Sequence, residues 1–189
     1  MVRVFPSRSL GSPPFSPSLQ RLQPCPPGPT CRVLVLSDGS LFQPDPHLVA
    51  VNLYIEMFDE PVAANLGEIE EHVYAPTRQR LVELTAFFAD KPIVRTEFGT
   101  IGIPGSGGDM RFSEDYQAAF LSAVWRAVEA VPEVSGGVVW AWADYRHRRG
   151  FTNDFPTYFG PFGIVTFDRH PKKANVALRA LWTGAAAGR

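Results

Sequence analysis

Apolar residues along this chain fall into short runs and helical stripes that alternate. Val33-Leu34-Val35-Leu36 is an apolar run closed by the polar turn Ser37-Asp38-Gly39-Ser40, which predicts a strand. Leu48 to Tyr54 predicts a second, stronger strand. Pro76 splits the helical region that follows. Beyond it, Leu81, Leu84, Thr85 and Phe88 recur at i, i+3, i+4 and i+7 and share one face of a helix. Ile93 to Glu97 predicts the third strand. The stretch from Gly99 to Met110 is glycine-rich and long for a connection, and loops of that length in compact domains are often functional. It lacks the Gly-Lys-Ser/Thr ending of a phosphate cradle.

Ser113 is placed to cap a helix, with Glu114 and Asp115 favourable against its dipole and Tyr116, Phe120, Val124 and Ala127 on its apolar stripe. Gly137 to Ala143 predicts another strand, followed by a charged and aromatic loop to Phe162. Gly163 to Phe167 is expected to extend the sheet or re-enter the barrel floor. Pro171 marks the start of a last helix, with Ala174, Ala177, Leu178 and Leu181 on its buried stripe.

Strand and helix in alternation predict an α/β fold with a parallel sheet and helical crossovers. The order fits about the last three units of a (β/α)8 TIM barrel, which closes with ~250 residues. The globular pattern runs only from residue 33 to 182, so a partial barrel is expected. Residues 1–32 differ: eight prolines stand among serines and arginines without an acidic residue. A segment so poor in amide donors predicts a disordered tail, or a start placed upstream of the true reading frame. Residues 183–189 are expected to be a flexible tail.

Composition narrows the chemistry. The formal net charge is −1 with both signs interspersed, which argues against nucleic acid and against an anionic membrane surface as partners. No apolar run approaches the ~20 residues of a membrane span. Nor does the N-terminus have the apolar core of a signal peptide, so a cytoplasmic protein is expected. Four scattered histidines lack metal-ligand spacing, and Cys25 and Cys31 read as two unpaired thiols in the proline-rich tract.

The chemistry-bearing residues gather at predicted strand ends. Glu97 closes one apolar strand just before Gly99, and Trp140, Trp142 and Asp144 close the next. Barrel enzymes keep catalytic groups at the C-terminal ends of their strands, and an acid beside aromatic platforms suits a sugar site. The competing reading of Glu97 is a strand-end ion pair with Arg95 or with an arginine of the run Arg146-His147-Arg148-Arg149.

Four segments, Ile93-Val94-Arg95-Thr96-Glu97-Phe98-Gly99, Phe112-Ser113-Glu114-Asp115-Tyr116-Gln117, Val139-Trp140-Ala141-Trp142-Ala143-Asp144-Tyr145 and Gly163-Ile164-Val165-Thr166-Phe167-Asp168-Arg169-His170-Pro171-Lys172, together resemble glycoside hydrolase family 2. They look most like the C-terminal part of the catalytic barrel in its β-glucuronidase branch, over roughly residues 45–182. The resemblance implies a retaining exo-β-glycosidase that needs no cofactor, takes a β-glycoside carbohydrate substrate and uses Glu97 as nucleophile. It implies that Tyr54 hydrogen-bonds near the nucleophile and that Trp140 closes the sugar site. On the residues alone, both aromatics also fit core positions.

The chain departs from the family in three places. The family's Asn-x-Lys motif, which binds a uronate carboxylate just before the Gly163 position, is replaced by Gly160-Pro161-Phe162, so a neutral hexoside competes with a uronide. Met57 and Phe58 stand where tryptophan and tyrosine are favoured. The Asn-Glu pair that holds the general acid at the fourth strand has no counterpart. Glu60, in Phe58-Asp59-Glu60-Pro61, lies only one unit before Glu97 and is read as a loop residue. The expectation is a glycosidase barrel fragment lacking its acid/base, unstable alone or completed by a polypeptide that supplies the missing half. The alternative is a non-catalytic carbohydrate-binding or interaction module that keeps Trp140, Trp142 and Tyr145 as a stacking surface.

Overall fold

Short runs rich in valine, isoleucine and leucine build one sheet. The computed structural model describes residues 2–4, 33–36, 47–54, 61–146 and 159–184. Its strands are β1 (Val2–Val4), β2 (Val33–Leu36), β3 (Leu48–Asn52), β4 (Ile93–Phe98) and β5 (Val134–Val139), in spatial order β1-β5-β4-β3-β2. From β2 to β5 every pairing is parallel, whereas β1 runs antiparallel to β5 with Val2 opposite Val138. The result is a mixed α/β fold around a small parallel sheet, with β1 and β2 at its edges. Val2–Val4 depart from the expectation that residues 1–32 lack regular structure. The rest of that tract, with Cys25 and Cys31, lies outside the described residues, as do Glu60 and residues 147–158.

The crossovers are helical. Helix α1 (Ala75–Phe87) joins β3 to β4, α2 (Glu114–Glu129) joins β4 to β5, and α3 (Lys173–Thr183) follows a two-stranded ribbon of β6 (Tyr145–Arg146) and β7 (Phe159–Gly160). Pro76 does not split the first crossover. A 3-10 turn at Leu66–Glu68 and a π-turn at Glu70–Tyr74 lead continuously into α1, and the Ala75 amide reaches back to the Glu70 carbonyl. In a regular α-helix the Pro76 ring would press on the His72 carbonyl. The wider turn just before it moves that carbonyl aside.

On α2, Tyr116, Phe120, Val124 and Ala127 are buried as their spacing predicts, and Ser113 Oγ accepts from the Tyr116 amide at 3.0 Å. The buried surface is wider than one stripe. Leu121, Trp125 and Val128 are also covered, because α2 packs on the sheet and on both other helices. Phe98, Trp125 and Trp182 form a continuous row of ring contacts, the first pair tilted and the second edge to face, with ring centroids 6.2 and 5.4 Å apart. Trp182 therefore joins Ala174 and Leu178 on the buried side of α3.

The strand expected over 137–143 begins earlier and ends earlier. Val134 already pairs with Ile93, and after Val139 the chain leaves the sheet. The Trp140 amide donates to Phe98, but the Ala141 amide donates to Phe162, and Ile164 donates back to Ala141. The segment 163–167 makes single bridges, Ala143 with Val165 and Val165 with Pro171, in place of a regular strand. The glycine-rich loop is fastened to the start of α2. Glu114 Oε1 accepts from the Gly105 amide and Asp115 Oδ2 from the Gly108 amide, both at 2.8 Å, while Lys173 Nζ sits 2.7 Å from Asp115.

One buried ion pair joins these loops. Lys172 and Asp144 side chains are both 0% exposed, with Nζ 2.8 Å from Oδ1. Lys172 also donates to the carbonyls of Gly102 at 2.7 Å and Pro161 at 3.3 Å, and Asp144 Oδ1 accepts from the Gly163 amide at 2.8 Å. Burial pushes the Asp144 carboxyl up and the Lys172 ammonium down, against the attraction between them. Removing Lys172 alone leaves a buried carboxylate uncompensated, so Lys172→Met should lower stability by ~3–5 kcal/mol in urea unfolding. Adding Asp144→Leu should recover much of that loss. A single variant with unchanged stability would contradict this role.

Candidate functional site

The site grows from the C-terminal ends of β3 and β4. Along β4 the buried side chains of Ile93 and Arg95 alternate with Val94 and Thr96, and Glu97 follows half-buried where the strand ends. The pairing of β3 with β4 shifts by one residue after Val51, which sets Asn52 beside Glu97. The Leu53 amide then meets the Glu97 carbonyl, and Tyr54 follows within reach of the carboxylate. On a neighbouring contact, Thr96 Oγ1 donates to Asn52 Oδ1 at 2.6 Å.

Arg95 is wholly buried, and its guanidinium donates to the main-chain carbonyls of Leu53 and, at 3.4 Å, Glu97. It thereby splints the two strand ends. Arg146 lies over the Phe167 ring at 5.4 Å. Arg148 and Arg149 fall outside the described residues.

Tyr54 Oη donates to Glu97 Oε2 at 3.0 Å. Burial raises the Tyr54 phenol far above the ordinary phenol range, and the Glu97 charge and hydrogen bond raise it further. A phenol so hard to ionise remains a donor at neutral pH and holds one carboxylate oxygen in a fixed direction.

Trp140 stands at the end of β5, 37% exposed, so it is neither a core tryptophan nor a free surface one. Its backbone lies so close to β4 that a Cβ on Gly99 would fall 1.8 Å from the Trp140 carbonyl oxygen. Only glycine permits that approach. The Trp140–Ala141 peptide is cis. The indole Nε1 donates to Tyr145 Oη at 3.1 Å, and the two rings meet edge to face at 5.9 Å. Tyr145 also stacks on Phe162, with centroids 6.4 Å apart and planes at 20°. Burial raises the Tyr145 phenol as well; the Trp140 hydrogen bond opposes that shift and the Glu97 charge adds to it. Trp142 is 55% exposed and carries the Arg169 guanidinium over its face at 5.0 Å.

The structure therefore brings Glu97 and Tyr54 together and sets Trp140 on the adjoining strand end. Tyr145, which the sequence reading kept only in the stacking surface of the alternative module, and Phe162, which it left out, form a ring group with Trp140. The spacing Trp140-x-x-x-x-Tyr145 hints at the first. No local signal points to Phe162, because its stack depends on the ribbon of β6 and β7. Among the described residues no three histidine, cysteine, aspartate or glutamate side chains are grouped to hold a metal, and no helix is long and apolar enough to cross a membrane.

No protein-family model matches the chain. A curated β-glucuronidase of Paenibacillus borealis is 31% identical over 139 residues, covering 71% of this chain and 21% of that protein. The solved β-glucuronidase of an uncultured Clostridium sp. superposes with a TM-score of 0.62 at 26% identity, over 73% of this chain and 23% of that one. A GH2 β-galacturonidase from Eisenbergiella tayi shares the fold, with a TM-score of 0.61 at 23% identity over 75% of this chain and 24% of its own. This chain thus spans about a fifth of the length of the curated relatives it matches.

The two shifted phenols give a pH signature. A folded-state pKa raised above the unfolded value of ~10 adds stability that is whole below about pH 10 and lost as pH rises beyond it. In a native absorbance titration, Tyr54 and Tyr145 should ionise only above the ordinary phenol range. Tyr54→Phe should remove one late phenol and flatten the alkaline fall in stability. All phenols ionising together near pH ~10 in the native protein would contradict this.

Proposed function

The chain is a member of glycoside hydrolase family 2 over about 70% of its length, and from that premise we propose that it carries the nucleophile half of a retaining β-glycosidase site. Glu97 is the nucleophile, Tyr54 its positioning donor and Trp140 a sugar-stacking wall. The parallel sheet is, in this reading, a sector of a (β/α)8 barrel, with its working residues at the C-terminal ends of the strands.

The single observation that carries the proposal is the hydrogen bond from Tyr54 to Glu97 at 3.0 Å, made where two parallel strands end. Tyr54 engages Oε2, so the attacking lone pair is taken to be on Oε1. In the proposed reaction Oε1 bonds to the anomeric carbon while the glycosidic C–O bond breaks and the leaving oxygen takes a proton. Water then attacks the same carbon, the Glu97–sugar ester breaks, and the sugar leaves with inverted, hence overall retained, configuration. The proton donor must be a second carboxyl ~5 Å from the nucleophile. We assign it to a strand other than β3, β4 and β5, in a longer form of the polypeptide or in a second polypeptide.

The test follows from dividing the reaction. A dinitrophenyl 2-deoxy-2-fluoro-β-glycoside needs little acid assistance, because its leaving group departs as a stable anion. Its fluorine destabilises the positive charge required for release, so the ester accumulates. With a sample that melts cooperatively, mass spectrometry should find one sugar on the peptide containing Glu97. Glu97→Gln should abolish the label and Tyr54→Phe should slow it by about tenfold. A label on Glu60, or one that survives Glu97→Gln, would overturn the assignment.

A further inference from the structure

Arg95 is wholly buried two residues before Glu97, in the strand that carries both. Taking a guanidinium out of water is costly unless hydrogen bonds replace its hydration. Two of those bonds converge on the site. Nη2 donates to the Leu53 carbonyl, and Nε donates to the Glu97 carbonyl at 3.4 Å. The first carbonyl belongs to the peptide plane that leads directly into Tyr54, and the second belongs to Glu97 itself. The Phe98 ring lies against the guanidinium, 5.3 Å from its centre, and restricts its tilt.

This fork acts where the backbone ladder slips. Val51 pairs with Arg95 but Asn52 pairs with Glu97, so Thr96 is an extra residue on β4 between the two pairs. A bulge of this kind bends the strand and disrupts its ladder locally. Past it, the Leu53 amide reaches the Glu97 carbonyl at 3.4 Å, a long contact. Tyr54 Oη nevertheless meets Glu97 Oε2 at 3.0 Å. The guanidinium supplies a further tie between the two strand ends.

We propose that Arg95 is a positioning residue for the Tyr54–Glu97 pair. Its two-pronged hold on the Leu53 and Glu97 carbonyls fixes the separation of the strand ends, and with it the direction in which Tyr54 turns the carboxylate. The inference rests on Glu97 being the reacting carboxylate and adds a residue that acts on it through the main chain. Lysine at this position would keep the charge but not the planar fork that spans two carbonyls. Methionine would keep much of the volume and neither property.

NMR of the full chain tests this without a sugar. The Tyr54 hydroxyl proton should give a slowly exchanging resonance, assigned by its loss in Tyr54→Phe. Arg95 should show separate Nη proton signals, because a held guanidinium cannot rotate freely. In Arg95→Lys and Arg95→Met samples that melt cooperatively, the hydroxyl resonance should be lost to exchange with water. With the dinitrophenyl fluoroglycoside, either variant should label Glu97 with a rate constant about tenfold lower, at an apparent affinity unchanged within about twofold. Recovery of the resonance in Arg95→Met would reduce Arg95 to a space-filling role, and recovery in Arg95→Lys to a charge; each result overturns the proposal. A weaker affinity at an unchanged labelling rate constant does the same. Should both variants fail to fold, the unmodified chain decides: Nη protons averaged into one signal would contradict the fork, and resolved signals support it. Absence of label on Glu97 in the unmodified chain would overturn the nucleophile assignment, while the hydroxyl resonance still judges Arg95.

Discussion

The buried ammonium of Lys172 is the contact on which the site end of this fold depends. One cation, placed where α3 begins, holds the Asp144 carboxylate after β5, the Gly102 carbonyl after β4 and the Pro161 carbonyl after β7. These segments have little regular structure of their own. Without the ammonium the Asp144 charge would be buried uncompensated, with the Gly163 amide as its remaining partner, a penalty of about 1–3 kcal/mol or more. Gln117 does the same work from α2: its side-chain amide donates to the carbonyls of Thr100, Phe162 and Gly163. Two side chains thus convert three irregular loops into one fixed surface, and that surface sets Tyr145 and Phe162 beside Trp140.

The other half of the site is a matter of strand register. Glu97 is presented, half-buried, because the alternation of β4 breaks at its last two residues, where Phe98 turns inward to meet Trp125. Tyr54 meets Glu97 because the β3–β4 pairing slips by one residue just before the strand ends. Gly99 lets the end of β5 close to within reach. A side chain there would occupy the space of the Trp140 carbonyl.

What the sequence made legible was local. Val33–Leu36, Leu48–Asn52 and Ile93–Phe98 are strands because β-branched and apolar residues run together there, and the α2 stripe and its Ser113 cap follow from spacing alone. Glu97, Tyr54 and Trp140 could be singled out because each follows an apolar run at a predicted strand end. The remainder depended on tertiary partners. Val134-Ser135-Gly136 looks like a turn and becomes strand only because β4 offers it a ladder. The Pro76 break is absorbed by a π-turn that no residue preference announces. The Lys172–Asp144 pair spans 28 positions and the Tyr145–Phe162 stack crosses a ribbon, so neither leaves a periodic trace.

At the far edge of the sheet, β1 has a consequence for assembly. It lies antiparallel along β5 with Val2, Arg3 and Val4 opposite Val138, Gly137 and Gly136, and so occupies the hydrogen-bonding edge of the strand that leads to Trp140. Any strand arriving on that side meets an edge already taken by the chain's own first residues. An occupant from the same chain competes intramolecularly, whereas a newcomer competes at its own concentration. Extension of the sheet beyond β5 is therefore an exchange reaction, in which a three-residue latch must leave before a longer strand can enter.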